Sequence, residues 1–233
     1  MTKKGEGFLV FKKNIKDNDL FIKLLSKNDE LISGIVYGGN SSKKKTIYQI
    51  GYFIEYSIIQ KNKNAPFVIT GEIIKPYISS IINDQFKSYS LLSLISLVNN
   101  SILEGQRLSN LYISVKDLVD IISKNNKWIS FYCVWLFNLL KIIGYQIDYT
   151  NKKDFKYFNL FTQDFEKLST NKSIIFPHRI LRNKENINFN EIKAVFTIFK
   201  SIYTKNHLDN INYKMPINFI NFEKKIINTL ERL

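Results

Sequence analysis

The chain of 233 residues is poor in the residue types that cross-link or break up a fold. It contains one cysteine, two histidines, four prolines and nine glycines. A single cysteine, Cys133, excludes an intramolecular disulfide and a zinc site built on cysteines. Cys133 lies in the apolar run from Phe131 to Leu140, which is typical of a buried and unreactive thiol. We therefore expect no bound metal and no cofactor.

Catalytic motifs are also scarce. The two histidines, His178 and His207, have no neighbouring serine, cysteine or carboxylate pattern that would indicate a triad. No GxGxxG pattern and no Walker lysine occurs. The close carboxylate pairs are typical of solvated turns and helix surfaces: Asp17/Asp19, Asp29/Glu30 and Asp117/Asp120. These absences favour a binding protein over an enzyme, and an unrecognised site in which histidines and carboxylates converge is the alternative.

Long hydrophobic runs are missing as well. The longest candidates, Ser90 to Val98 and Ile129 to Leu140, are too short to cross a bilayer. The first apolar run, Phe8 to Phe11, ends at Lys12 and Lys13 and does not resemble the core of a signal peptide. The sequence therefore predicts a soluble cytoplasmic protein.

Acidic residues are outnumbered by basic ones. There are 34 lysines and arginines against 20 acids, which gives a formal charge of +14 and a pI near 9.6. Such an excess favours a polyanionic partner, either nucleic acid or an anionic membrane surface. All but four of the basic residues are lysines, and the chain is rich in Ile, Asn, Phe and Tyr. This composition resembles that of proteins from AT-rich genomes, which raise the lysine content for reasons unrelated to binding, so the charge is weaker evidence for nucleic acid than its size suggests.

The first 80 residues have the pattern of a small β-protein. Five short apolar runs, separated by turn residues, predict five strands: Gly7–Lys13, Leu20–Leu25, Leu31–Tyr37, Gly51–Gln60 and Phe67–Lys75. Five strands in about 75 residues are typical of a closed barrel of the OB-fold or SH3-like kind.

From Ser79 onward the apolar period is close to 3.6, which predicts helices. The predicted helices are one through Leu91–Ile102 that ends near Gly105, one capped by Ser114, Trp128–Ile143 with a stop at Gly144, Asn188–Tyr203, and Pro216–Leu233. Residues 148–182 are irregular and predict short helices and loops. The expected fold class is α+β, with a barrel domain over 1–80 and a helical domain over 81–233.

One connection between predicted strands is unusually basic. It reads Gly38-Gly39-Asn40-Ser41-Ser42-Lys43-Lys44-Lys45, and no acid occurs between Glu30 and Glu55. The two glycines allow a tight turn with φ > 0. A mobile cationic loop between strands is suited to gripping phosphates. The alternative is that the lysines only solvate a turn.

Aromatic residues lie close to these lysines in the sequence. Single-strand binders on this architecture combine a basic groove with exposed rings on which bases stack. Tyr37, Tyr52 and Tyr56 are near the basic loop, although each could equally pack in the core. The candidate DNA-binding residues are Lys12, Lys13, Gly38, Gly39, Lys43, Lys44, Lys45 and Tyr48.

Several of these segments resemble the RecO family of DNA repair proteins. Glu6–Val10 is similar to the family's first strand, and Leu31–Gly39 with the lysine loop is similar to its third strand and basic loop. Ile47–Gly51 resembles the entry into the fourth strand, with Ile50 at the usual proline position. Two further similarities lie in the helical part: Phe137–Tyr145 followed by Asp148 resembles the Leu-Gly-Tyr signature, and Tyr203–Leu208 through Pro216 resembles the C-terminal helical pair.

The resemblance implies an OB-fold followed by a helical domain, and a recombination mediator that works without ATP. Such a protein binds single- and double-stranded DNA, anneals complementary strands and, with RecR, loads RecA onto DNA coated by the single-strand-binding protein SSB. The SSB tail would contact the helical part. An RNA- or protein-binding barrel without a repair role is the alternative, as is attachment to a membrane surface through lysines.

The chain departs from the family in two places. Many members carry a four-cysteine zinc module after Leu-Gly-Tyr, whereas no cysteine follows Cys133 here. If that module keeps its shape, packing of residues such as Phe155, Tyr157, Phe158 and Phe161 must hold it. Tyr37 occupies the position of a usual basic residue before the loop glycines, so the family's phosphate contact at this position is not expected here, and the three lysines that follow could compensate for it.

Overall fold

The computed structural model describes residues 2–62, 65–75, 77–152, 154–182 and 188–232. The chain separates into two compact units, Met1–Ser123 and Lys124–Leu233, and each is described by itself. The first unit is longer than the predicted barrel domain because helices that follow the barrel pack on it, as the helix Gln85–Ser101 does on the strand Thr2–Asn14. The predicted domain boundary between residues 80 and 81 stays a prediction.

The first unit is built on a closed five-stranded barrel with the strand order β1-β2-β3-β5-β4. The strands are β1 (Thr2–Asn14), β2 (Leu20–Ser26), β3 (Leu31–Val36), β4 (Phe53–Ile59) and β5 (Val68–Lys75). β1 pairs with both β2 and β4, and its register shifts by one residue between Leu9 and Phe11. A bulge of this kind increases local twist and lets one long strand serve two neighbours. The barrel and the helices after it confirm the predicted α+β class with an N-terminal OB-fold.

Alternating apolar side chains fill the barrel. Because successive residues of a strand point to opposite faces, every second side chain points into the barrel. Four of these inward side chains are inaccessible to solvent: Leu9, Leu24, Ile54 and Ile69. The barrel closes where β3 meets β5 in parallel at Ile35. Gly34 permits this approach, since a Cβ there would lie 2.6 Å from the carbonyl oxygen of Phe67.

Three helices follow the barrel in this unit: α1 (Ile78–Ile81), α2 (Gln85–Ser101) and α3 (Leu111–Lys124). The side chain of Asp84 caps α2 by accepting hydrogen bonds from the N–H groups of Phe86 and Lys87. The prediction that Ser114 caps the next helix is wrong. α3 begins three residues earlier, and the Ser114 hydroxyl donates to the Leu111 carbonyl within the helix.

The N-terminus of α3 is capped by a residue distant in sequence. The Asp29 carboxylate accepts hydrogen bonds from the N–H groups of Asn110 and Tyr112, both at 2.8 Å. Asp29 lies in the turn between β2 and β3 and has a φ of 64°. Because this cap joins residues more than 80 positions apart, no local sequence signal could indicate it.

The second unit contains a helical core and a small sheet. Its helices are α4 (Trp128–Ile142), α5 (His178–Arg182), α6 (Phe189–Ile202) and α7 (Ile217–Leu230). Tyr132, Phe196 and Phe222 meet at ring-centroid distances of 4.9 to 6.3 Å. Gly144 has a φ of 95° after α4, as expected of a helix stop. Residue 233, at the end of the last predicted helix, lies outside the described residues.

Residues 148–182 are more regular than predicted. They form a three-stranded antiparallel sheet in the order β7-β6-β8, made of β6 (Tyr157–Asn159), β7 (Asp164–Glu166) and β8 (Ser173–Ile175), in addition to α5. Phe165 and Phe176 pack at 4.7 Å, and Phe158 lies within 5.9 Å of both. Strands of three residues are too short for a periodic sequence signal, which explains the difference. Residue 153 lies outside the described residues.

Candidate nucleic-acid interface

The basic connection between β3 and β4 is hydrogen-bonded at several points. Gly38 adopts a φ of 63°, and its N–H donates to the Asp19 carboxylate at 2.7 Å. The N–H of Asn40 donates to the Asn18 carbonyl at 2.7 Å. These bonds tie the start of the connection to the residues just before β2. Gly39 is buried, and a Cβ there would lie 2.8 Å from Val36.

The three lysines occupy a compact segment that we call the lysine turn, residues 43–45. The N–H groups of Lys44 and Lys45 both donate to the Ser41 carbonyl, at 3.0 and 2.9 Å. The Lys44 ammonium donates to the Tyr37 carbonyl at 3.1 Å. All three lysine side chains are exposed. The glycines thus set the shape of the connection and the lysines give it its charge.

The two basic residues near the end of β1 have different roles. The Lys12 ammonium donates to the Tyr48 carbonyl at 3.2 Å and to the Gln49 side-chain oxygen at 3.0 Å. Desolvation by burial lowers the pKa of Lys12 from its ordinary value. Lys13 is exposed and lies opposite Phe21 on β2. Lys12 therefore braces the connection, whereas Lys13 presents its charge to solvent.

Tyr48 does not present its ring at the surface. Only 2% of the residue is exposed, and its hydroxyl accepts a hydrogen bond from the Gly71 N–H at 2.9 Å. Burial raises the pKa of this phenol, and the Gly71 hydrogen bond partly offsets the rise. Tyr48 closes the barrel core beneath the connection, so we leave it out of the surface on which a base could stack. Tyr56 is buried in the same way, and Tyr52 is half-buried.

Half-buried aromatic rings lie instead on the outer side of β1 and β2. Phe11 and Phe21 meet edge to face with centroids 6.3 Å apart, and the Lys23 ammonium lies 6.0 Å from the Phe11 ring. Tyr37, directly before the lysine turn, is 55% exposed. Sequence reasoning missed Phe11, Phe21 and Lys23. Their alternation with the buried residues of each strand was the available signal.

Acids moderate the charge of this surface. Asp17 and Asp19 lie in the turn before β2, and Asp19 is engaged by the Gly38 N–H. Lys23 pairs with Glu104 at 3.4 Å. An exposed ion pair of this kind is weak and is easily exchanged for a phosphate. The lysine turn has no acid among its own residues or in the connection around it.

The small sheet of the second unit does not suit a zinc ion. Phenylalanines form its interior, and the chain has no cysteine in this region. Phe158 is buried and Phe155 half-buried, whereas Phe161 is 63% exposed. Across the residues that the structure describes, no group of three or more His, Cys, Asp or Glu residues is placed to hold a metal. Cys133 is buried, and burial raises the pKa of its thiol.

The two histidines contact different groups. His178 Nε2 lies 2.9 Å from the Phe155 carbonyl oxygen, and its ring packs against Phe176. His207 packs against Tyr203 and Tyr145. The contacts given for both histidines are therefore packing and hydrogen-bond contacts within the fold.

None of the described helices is long and apolar enough to pass through a bilayer.

A partly apolar groove of about 380 Å³ lies on the surface of the second unit, and we call it the Met215 groove. Lys200, on its wall, pairs with Glu223 at 2.7 Å, and Lys224 is exposed beside it. Its lining residues are Lys200, Thr204, Met215, Ile220, Glu223, Lys224, Ile227 and Asn228. The groove combines apolar side chains with lysines, which suits a peptide carrying both acidic and apolar groups.

Comparison with known proteins gives a consistent result. A DNA repair protein RecO from Rickettsia canadensis is 26% identical over 219 residues, which cover 88% of this chain and 89% of that protein. The RecO protein of Rickettsia akari is 26% identical with similar coverage, 88% and 90%. The RecO protein of Rickettsia felis is 31% identical over 153 residues, 64% of this chain and 62% of that protein. No family model matches the chain.

Proposed function

We propose that the chain, which is similar to RecO proteins over most of its length, acts in DNA repair as a recombination mediator of the RecO family that binds DNA through its barrel. The observation that carries this proposal is the lysine turn, whose three exposed lysines follow the exposed ring of Tyr37. Single-strand binders combine cations with aromatic rings on which bases stack. The proposed contacts are Lys13, the lysine turn and the rings of Phe11, Phe21 and Tyr37.

The proposed mechanism is annealing of complementary strands without ATP. Two DNA strands repel each other through their phosphates, and bound lysines neutralise part of that charge. Once the repulsion is reduced, base pairing itself supplies the driving force. No leaving group and no cofactor is needed, so we propose that the protein is not an enzyme. With RecR, the same binding would allow RecA to be loaded onto SSB-coated strands.

The acidic, apolar-ended tail of SSB is the proposed occupant of the Met215 groove. Ile220 and Ile227 offer apolar contacts, and Lys224 lies where it could meet a carboxylate. We expect Ile227→Asp to weaken binding of a synthetic tail peptide at least fivefold in fluorescence anisotropy, because it places a negative charge in the apolar part of the groove. Asn221→Asp, an exposed change on the same helix that does not line the groove, is the matched control. Equal weakening by both would contradict the assignment.

The DNA contact is tested by replacing all three lysines of the turn with glutamine. We expect weaker binding to single-stranded DNA and a smaller dependence of log affinity on log salt. The slope should fall by up to about 2, because each lost phosphate contact on a single strand accounts for roughly 0.7. Unchanged affinity and slope would contradict the assignment of the lysine turn.

The matched control replaces three exposed lysines of the second unit with glutamine: Lys127, Lys141 and Lys214. Its net charge equals that of the test variant. Competition between DNA and RNA of the same sequence separates a DNA mediator from an RNA-binding barrel. A preference for RNA would favour the RNA-binding barrel.

A further inference from the structure

A second exposed aromatic site lies at the tip of the hairpin between β6 and β7. We call residues 159–164 the Phe161 hairpin. Phe161 is 63% exposed, whereas Phe158 on the adjoining strand is inaccessible to solvent. A large apolar ring kept in water at a hairpin tip has no role in the core of the sheet.

The backbone of this hairpin is held firmly by its own residues. The Asn159 side-chain oxygen accepts hydrogen bonds from the N–H groups of Phe161 and Thr162, at 2.8 and 3.1 Å. The Gln163 N–H donates to the Asn159 carbonyl at 2.9 Å. The ring of Phe161 is therefore carried on a turn whose conformation is fixed before any ligand binds.

Groups from α6 and the segment after it hold the hairpin from the other side. The Ser201 hydroxyl donates to the Leu160 carbonyl at 2.9 Å, and the Lys205 ammonium donates to the Phe161 carbonyl at 3.0 Å. Asn206 donates to the Gln163 side chain at 2.7 Å. Lys205 and Asn206 belong to a π-helical segment, Tyr203–Leu208. Such segments are rare and are frequent at functional sites.

Two ammonium groups lie against the exposed ring. Lys172 Nζ is 4.3 Å and Lys205 Nζ is 4.6 Å from the centroid of Phe161. Two carboxylates lie in the same sheet, and Glu166 accepts hydrogen bonds from the side chains of Asn159 and Thr170. Asp164 accepts from the N–H of Phe165. The hairpin tip thus presents an aromatic face with two cations beside it.

We propose that the Phe161 hairpin is a second binding site for single-stranded nucleic acid, where a base stacks on Phe161 and phosphates contact Lys172 and Lys205. The inference rests on the proposed function, because it adds a contact for the same ligand. Lysine side chains are flexible, so they can leave the ring for flanking phosphates while the base takes their place. The fixed turn lowers the entropic cost of that exchange.

The stacking contact can be read directly with the full-length variant F161W. The chain's own tryptophans, Trp128 and Trp135, are buried at 6% and 4% exposure, so the substituted residue supplies the exposed indole signal. Oligo-dT should quench this fluorescence in a saturable manner. An abasic strand of the same length, which has the phosphates but no bases, should quench it far less.

Affinity gives an independent measurement. F161A should bind oligo-dT roughly 5- to 100-fold more weakly, the range expected for one lost stacking contact. It should bind the abasic strand with unchanged affinity. Lys172→Ala should weaken binding to both strands. Leu168→Ala is the matched control, because Leu168 is 81% exposed in the connection between β7 and β8 and lies outside the hairpin.

The outcomes separate this inference from the proposed function. If the unsubstituted chain binds oligo-dT while F161A binds it equally well and F161W is not quenched, the hairpin site is wrong and the barrel site stands. If the unsubstituted chain binds no nucleic acid, both are overturned. Quenching of F161W that persists when the lysine turn is neutralised supports two independent contacts.

Discussion

At the scale of single residues, burial decides how several tyrosines ionise. Tyr48, Tyr56 and Tyr112 are each at most 3% exposed, and desolvation raises the pKa of all three above the ordinary value of 10.0. For Tyr112 the negative charge of Glu6 raises the pKa further. The folded protein therefore favours the neutral form of these three phenols.

We predict a loss of stability at alkaline pH from these residues. In the unfolded chain the three phenols lose their protons near pH 10, whereas the folded protein retains them. The three phenols contribute fully to the free energy of unfolding below about pH 10. This contribution is lost as the pH rises from about 10 towards their pKa values in the folded protein. Lys12 has the opposite effect on stability. Because its pKa is lowered, its ammonium form disfavours the folded state at pH values below the ordinary pKa of 10.5, but it is one group against three tyrosines.

The check is phenolate absorbance against pH, together with urea unfolding at each pH. Phe substitutions at Tyr48, Tyr56 and Tyr112 should each remove one late-titrating phenol from the folded protein. Ionisation of all tyrosines near pH 10 while the fold persists would contradict this prediction.

Side-chain orientation also explains what sequence could predict of the site. The lysine turn was visible because its residues are contiguous, and the glycines before it indicated a turn. Tyr48 is also close to the lysines in sequence, but its ring faces the barrel core. The half-buried Phe11 and Phe21 are farther from the lysines in the chain and come near one another only through strand pairing.

At the scale of elements, periodicity predicted the strands and most helices, because alternation and 3.6-residue spacing are local properties. Long-range contacts were not predictable. The Asp29 cap of α3 and the three-residue strands of the small sheet depend on partners far along the chain.

The Asp29 cap leads to a prediction on stability. Asp29→Ala should reduce the free energy of unfolding by about 1–2 kcal/mol, because the N–H groups of Asn110 and Tyr112 lose their acceptor and alanine is disfavoured at a φ of 64°. Asp29→Asn keeps an acceptor oxygen and tolerates this conformation, so it should cost markedly less. Urea unfolding of the two variants makes the comparison, and equal destabilisation would show that capping by the side-chain oxygen is not the cause.

At the scale of the whole molecule, the excess of positive charge is spread over both units. Residues 1–80 carry 13 lysines against seven acids, and residues 81–233 carry 21 basic residues against 13 acids, so the excesses are +6 and +8. The lysine turn and the Phe161 hairpin give this general charge two defined places where a strand could bind. Genome composition can raise lysine content, but it does not fix lysines beside exposed rings.

We propose that the protein anneals DNA strands without ATP. The most direct measurement is the rate at which complementary oligonucleotides pair when both are coated with SSB, with and without the protein and in the absence of ATP. We expect the protein to accelerate pairing, and we expect neutralisation of the lysine turn to reduce the acceleration greatly. A pairing rate unaffected by the protein would contradict this proposal.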